Sequence, residues 1–188
     1  MKLELKHIAP YLPYGLKMKF TSTNEVDKLS NEDIVILKQI DEGGICVNGY
    51  KTNNKSYKPI LRPLSDLTKE IEVNGEKFVP IVELAKIHGI DFEIKTIKTE
   101  YGTIVCYSEI SLHPTDNTPF SREFFELDLS DCCFDFGFEI FGENEFDICE
   151  TSYFPIRNQL ELFQKLFEWN FDVFGLIEQG LAIDINTL

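Results

Sequence analysis

The residues of this chain best placed to do chemistry are carboxylates at alternate positions in its middle section. Across residues 125–140, acidic side chains alternate with aromatic and aliphatic ones. Successive side chains of a β-strand point to opposite faces, so the spacing predicts two strands with one apolar and one acidic face. Such a face suits a basic protein partner or mimics nucleic-acid phosphate, or it only keeps an aromatic-rich sheet in solution. The acidic residues predicted to bind a partner are Glu126, Asp128, Asp131, Asp135, Glu139, Glu143, Glu145 and Asp147.

The cysteines and histidines predict neither a metal site nor a catalytic nucleophile. Adjacent Cys132 and Cys133 lack the spacing of a Cys-x-x-Cys pair, and neighbours in a strand point to opposite faces. His88 falls in the predicted last turn of a helix, where an imidazole complements the helix dipole, and His113 precedes a proline in a predicted loop. We therefore predict no catalytic residue, no bound metal and no cofactor. The cysteines expected to be reduced thiols are Cys46, Cys106, Cys132, Cys133 and Cys149.

Asp135-Phe136-Gly137 matches, by its letters, the metal-binding triplet of protein kinases. A kinase domain needs roughly 250 residues, a glycine-rich loop and a catalytic-loop Asp/Asn set, and this sequence has none of them. A strand with a glycine on its outer face explains the triplet instead. The sequence also lacks a phosphate-binding loop, a nucleophile elbow and a calcium-binding loop.

The charge of the chain is strongly acidic and is concentrated in one segment. The formal net charge is -14, and residues 109–150 hold twelve acidic residues but a single basic one, Arg122. Residues 1–108 are neutral, with fifteen residues of each sign. A chain with this balance has no electrostatic footprint for nucleic acid or for an anionic membrane.

Length and composition predict a single globular domain over residues 1–188. The chain begins with charged residues and has no apolar run near the ~18 residues of a membrane span. With the odd number of cysteines, these features predict a soluble, cytoplasmic protein. The predicted class is α+β, with an antiparallel β-rich body, short helices and a long C-terminal helix packed on it. The expected sub-regions are mixed strands and short helices over 1–90, an acidic antiparallel sheet over 91–150, and the helix over 155–181.

Four strings in the outer parts of the chain resemble a family of small uncharacterised proteins encoded by phages, prophages and other mobile elements of gut anaerobic bacteria. They are LKHIAPYLPYG (5–15), KPILRPLSDLTKEI (58–71), NGEKFVP (74–80) and NQLELFQKLFEWNFDVFGLIEQGLAIDINT (158–187). The match covers about half of the chain and leaves residues 90–155 unmatched. The resemblance implies a mobile-element accessory protein, and it brings no activity, cofactor or catalytic residue.

These observations predict a non-catalytic accessory protein that acts by protein–protein interaction through its acidic sheet face. The expected partner is a basic protein of the host or the phage. The alternatives are a small hydrolase or transferase with an unrecognised cleft, or a structural or assembly protein. A pocket with perturbed titratable groups would favour the enzyme, and an open acidic surface would favour the binding protein.

Overall fold

The computed structural model describes residues 3–22, 34–41, 44–47, 50–52, 56–90, 92–100, 102–108, 111–112, 119–131, 133–142 and 147–188. Contacts divide the chain into two compact units, one of Met1–Leu64 with Phe163–Leu188 and one of Ser65–Leu162. The single domain over residues 1–188 stays a prediction. The class is α+β, as predicted.

Strands provide most of the regular structure. In chain order they are β1 (Lys17–Phe20), β2 (Ile34–Asp41), β3 (Gly44–Val47), β4 (Tyr50–Thr52), β5 (Tyr57–Leu61), β6 (Ile71–Val73), β7 (Glu76–Phe78), β8 (Ile94–Glu100), β9 (Thr103–Ser108), β10 (Ser111–Leu112), β11 (Pro119–Asp128), β12 (Cys133–Phe141), β13 (Ile148–Phe154) and β14 (Ile183–Asp184). The α-helices are α1 (Leu5–Ile8), α2 (Pro80–His88) and α3 (Gln159–Glu168). Within the described ranges, no helix is long and apolar enough to cross a membrane.

The first unit is built around a sheet of order β14-β5-β1-β2-β3-β4, in which β14 runs parallel to β5 and the other pairs are antiparallel. Alternation along β1 puts Met18 in the core and leaves Lys17 exposed, as its sequence pattern predicts. Tyr11, in a 3-10 turn after α1, is fully buried and its hydroxyl donates a hydrogen bond to the Phe171 carbonyl, 2.6 Å away. This bond satisfies a hydroxyl that would be costly to bury alone.

The C-terminal helix is much shorter than predicted. The prediction ran over 155–181, whereas α3 ends at Glu168 and Asn170 takes a left-handed conformation, with φ of 59°. Beyond it, the backbone on either side of Phe171 bonds to Arg62. The carboxylate of Asp172 then accepts the N–H groups of Leu176 and Ile177. Because these partners satisfy the backbone locally, the apolar residues beyond Asn170 pack without continuing the helix.

The second unit is a sheet of order β13-β12-β11-β9-β8, with β10 paired to β11 and a separate β6–β7 hairpin. The predicted alternation is seen in β11 and β12, where Phe125, Leu127 and Phe134 are all fully buried. Farther along β12, however, Phe136 and Phe138 are only half-buried, and each ring packs on the exposed Phe154 of β13. The apolar face is therefore a full core only at one end of β12.

We predict that Phe134→Ala lowers the free energy of unfolding by about 3–5 kcal/mol, because it empties a fully buried site stacked on Phe125. Phe138→Ala is the matched control and should cost only about 1–2 kcal/mol, because a half-exposed ring loses less apolar contact. Denaturant titration of both variants measures the two values. Equal losses would contradict this assignment of the core.

Candidate functional site: an acidic and aromatic sheet face

One face of the second unit's sheet combines carboxylates with aromatic rings. On the other face, His88 of α2 stacks on Phe125 at 5.8 Å between ring centroids and contacts Phe136 at 5.7 Å. Side chains at the intervening positions of β11 and β12 point away from α2. We call this side, with its cross-strand neighbours, the acidic–aromatic face. It carries Tyr107, Arg122, Phe124, Glu126, Asp128, Asp135, Glu139, Phe141 and Tyr153.

The structure brings together half of the acidic residues predicted to bind a partner. On the acidic–aromatic face lie Glu126, Asp128, Asp135 and Glu139. Glu126 is directly opposite Asp135, so two like charges share one cross-strand pair. Asp131 is exposed in the turn after β11, and Asp147 is exposed just before β13. Glu143 and Glu145 lie outside the described residues.

Arg122 is the centre of this face. Its guanidinium lies 3.8 Å from the centroid of the Tyr107 ring and 5.3 Å from that of Phe141. Its Nε donates to the Glu139 carboxylate at 2.5 Å. Alternation predicts Glu139 on a solvated face, but the residue is only 8% exposed because its cross-strand partner is Arg122. Glu139 therefore serves an internal ion pair more than an open docking surface.

The pKa values of two neighbouring carboxyls on the face are shifted in opposite directions. Burial, together with the charges of Asp135, Asp128 and Glu139, raises the pKa of Glu126 to about 7. Asp128 accepts hydrogen bonds from the Ser130 hydroxyl and amide, at 2.6 and 2.7 Å, and these lower its pKa. Glu126 therefore holds a negative charge at a cost, and a nearby cation would relieve that cost.

The aromatic part of the face comes from several strands and was not predicted from the sequence. Phe124 lies across Gly137, where an added Cβ would be 2.7 Å from its Cζ. Tyr153 packs edge-on against Phe124, with centroids 5.4 Å apart, and remains 60% exposed. Tyr107 lies on the far side of Phe124. The glycine in β12 is the only signal in the sequence that could have pointed to rings at this position.

The described thiols and His88 have the environment of structural residues and not of reactive groups. Burial raises the pKa of the Cys106 thiol to about 12, which disfavours the reactive thiolate. Cys133 and Cys149 are free thiols as well, and burial is also the main cause that raises the pKa of Cys133. His88 Nδ1 lies 3.0 Å from the Asn158 side-chain oxygen while its ring packs on phenylalanines. In the part of the chain that the structure describes, no group of three or more His, Cys, Asp or Glu side chains could hold a metal ion.

A pocket of about 320 Å³ lies on the opposite side of the same sheet. It is lined mainly by apolar side chains of α2, β8 and the segment between them, among them Val82, Phe92 and Ile97. Ile97 pairs with Cys106, which pairs with Phe125, so the pocket opens on the α2 side. The raised pKa of Glu126 therefore belongs to a carboxyl that faces away from the pocket.

We predict that Glu126→Gln stabilises the protein more at about pH 8 than at about pH 5. The raised pKa means that the folded state holds this proton more tightly than the unfolded chain. The stabilisation is therefore present below the ordinary carboxyl pKa and is lost as the pH rises through about 7. Thermal melts across this pH range measure the difference between variant and native protein. Exposed Glu72 in β6 provides the control, since the effect of Glu72→Gln should stay level.

The acidic–aromatic face thus combines an exposed ring, a pair of mutually repelling carboxylates and an internal ion pair on a surface formed by four strands. No protein-family model, curated protein or solved structure matches this chain.

Proposed function

We propose that this protein is a non-catalytic binding protein that captures a basic protein partner on its acidic–aromatic face. The observation that carries the proposal is the Glu126–Asp135 pair, two carboxylates held directly opposite each other beside exposed Tyr153. The free protein bears the cost of this crowding. A lysine or arginine side chain that settles between the carboxylates removes the repulsion and gains a charge-assisted hydrogen bond.

The aromatic rings of the face support a cationic partner in the same way. The guanidinium of Arg122 already stacks on Tyr107, and the Lys98 ammonium lies 5.7 Å from the centroid of the same ring, so the face holds cations against a ring within the chain itself. Tyr153 offers a second ring, which is 60% exposed. Partial burial, and then the charges of Glu126, Asp135 and Glu139, raise the pKa of its hydroxyl. A cation over an aromatic face gains about 0.5–2 kcal/mol, depending on how fully it leaves water.

The alternative of a small hydrolase or transferase has less support from the geometry. An active site joins a cavity to titratable groups whose pKa values suit proton transfer. The pocket lies on the α2 side of the sheet, whereas Glu126, whose pKa burial raises to about 7, lies on the other side. The acidic–aromatic face therefore carries charge without a cavity described on it, and the pocket lies on the other side of the sheet.

The resemblance to small proteins of phages and mobile elements supports an accessory role for this binding activity. A mobile element meets basic proteins of its host and encodes basic proteins of its own. We propose a protein from one of these two sources as the partner. Its binding would depend on charge steering, which is screened over about 8 Å at physiological ionic strength.

We predict that Glu126→Gln/Asp135→Asn weakens binding of an oligolysine peptide about tenfold at about pH 8, by removing both charges of the central pair. The matched control is Glu72→Gln/Glu76→Gln, which removes the same charge from the exposed β6–β7 hairpin of the same unit and should leave the affinity unchanged. Fluorescence anisotropy of a labelled peptide measures the dissociation constants.

Two further readings complete this test. Affinity for the native protein should rise from about pH 6 to about pH 8 as Glu126 ionises, and should fall when ionic strength is raised from about 0.05 M to about 0.5 M. The proposal would be wrong if both double variants lost affinity equally, since that would mean attraction by net charge alone. It would also be wrong if no basic peptide bound the native protein.

A further inference from the structure

β13 forms an edge of the second unit's sheet and has few of the features that prevent an edge from pairing. Among the described residues it pairs with β12 and with no strand on its other side. It exposes Ile148, Tyr153 and Phe154, and it contains no lysine, arginine or proline. The opposite edge, β8, carries Lys95 and Lys98, charges that discourage a second chain from pairing there. The two edges of one sheet thus differ in their lysines, whereas β13 carries exposed Glu150 and an irregular pairing opposite Ile140 and Phe141.

The backbone of β13 presents two N–H groups to this open side. On β12, the N–H and C=O of Phe134 both bond the side chain of Gln159, so they point away from β11. The backbone N–H and C=O groups of successive residues point to opposite sides of a strand. Those of Phe138 therefore also point away from β11, toward the paired residue Ser152 on β13. The backbone N–H and C=O of Ser152 therefore point to β12, and the backbone groups of the residues on either side of it point to the open edge. These outward residues are Thr151 and Tyr153.

We propose that the basic partner binds as an added β-strand along β13, with basic side chains at alternate positions above the acidic–aromatic face. The inference rests on the proposed function, because it takes the same face and partner and assigns the partner an extended conformation. Main-chain hydrogen bonds to the outward groups of Thr151 and Tyr153 would supply affinity that does not depend on side chains. Specificity would come from the side chains that alternate above and below the sheet.

The two sides of the added strand meet different surroundings. Tyr153 and Thr151 are cross-strand partners of Gly137 and Glu139, so they lie on the acidic–aromatic face. A lysine beside Tyr153 would lie against its ring with the β12 carboxylates beyond it. Phe154 projects to the other side and is 44% exposed, so an apolar residue suits that position. The partner segment should alternate basic and apolar residues.

Charge favours this partner over a second copy of the chain. Each copy carries a net charge of -14, most of it in the segment that contains this sheet. Two β13 strands pairing about a two-fold axis would bring two acidic–aromatic faces into one continuous surface. Like charges oppose that arrangement, whereas a basic strand neutralises the face as it extends the sheet.

The test uses a peptide of alternating lysine and valine, about as long as β13, and a control peptide of the same composition with lysines and valines in separate blocks. Thr151→Pro removes one outward N–H, which an edge strand tolerates, and should weaken binding of the alternating peptide about tenfold or more. Thr151→Val keeps the N–H and should bind as the native protein does. The alternating peptide should also bind more tightly than the block peptide.

Amide hydrogen exchange gives a second measurement, on the unmodified protein. With the alternating peptide bound, the Thr151 and Tyr153 amides should exchange more slowly, while the Ser152 amide, already directed at β12, should change little. If the two peptides bound equally and the outward amides gained no protection, the added strand would be wrong and the proposed function would stand. If oligolysine binding failed as well, the proposed function would fall too. A native dimer that Thr151→Pro converts to monomers would assign the edge to a second copy and overturn the inference.

Discussion

The ion pair between Arg122 and Glu139 is the interaction on which the acidic–aromatic face depends. Residues 109–150 contain no other basic residue, and this one cation is held by a carboxylate and a tyrosine ring at once. Removal of the guanidinium would leave Glu139 charged and nearly buried, which is far more costly than the loss of an exposed ion pair. The same stack covers Tyr107, so charge and apolar packing on this face cannot be separated.

The proposed function depends on the charges of the face that Arg122 does not neutralise. Glu126 and Asp135 face each other across two strands, an arrangement that a sheet selected only for stability would avoid. Local conflicts of this kind are expected at functional sites, because stability gained elsewhere in the fold sustains them. The fully buried rings on the opposite side of the same strands provide that stability. The acidic–aromatic side adds a smaller buried cluster of its own, formed by Val105, Tyr107 and Phe124.

Some of these features could be predicted from the sequence and others could not, and the difference lies in the range of the interactions involved. Alternation over residues 125–140 predicts which carboxylates share a face, because side-chain direction in a strand is a local property. The partner of Glu139 depends on the register between β11 and β12, and no pattern within one strand specifies it. The rings of Tyr107 and Tyr153 join the face from β9 and β13 for the same reason. The end of α3 depends on backbone bonds to Arg62, about a hundred residues earlier, so apolar periodicity alone overestimates the helix.

The space around Gly137 restricts which residues a related sequence could carry at this position. A Cβ at this position meets both the Phe124 ring and the backbone carbonyl of Ser152, and the carbonyl cannot be trimmed by a compensating substitution. The glycine should therefore persist through sequence divergence, whereas the proposed function lets the acidic residues around it change with the partner. In an alignment, Gly137 would then be the invariant residue of the Asp135-Phe136-Gly137 triplet, although the letters match a catalytic signature. The invariant glycine would reflect the limited space between two strands, and the variable acidic positions beside it would reflect the proposed function.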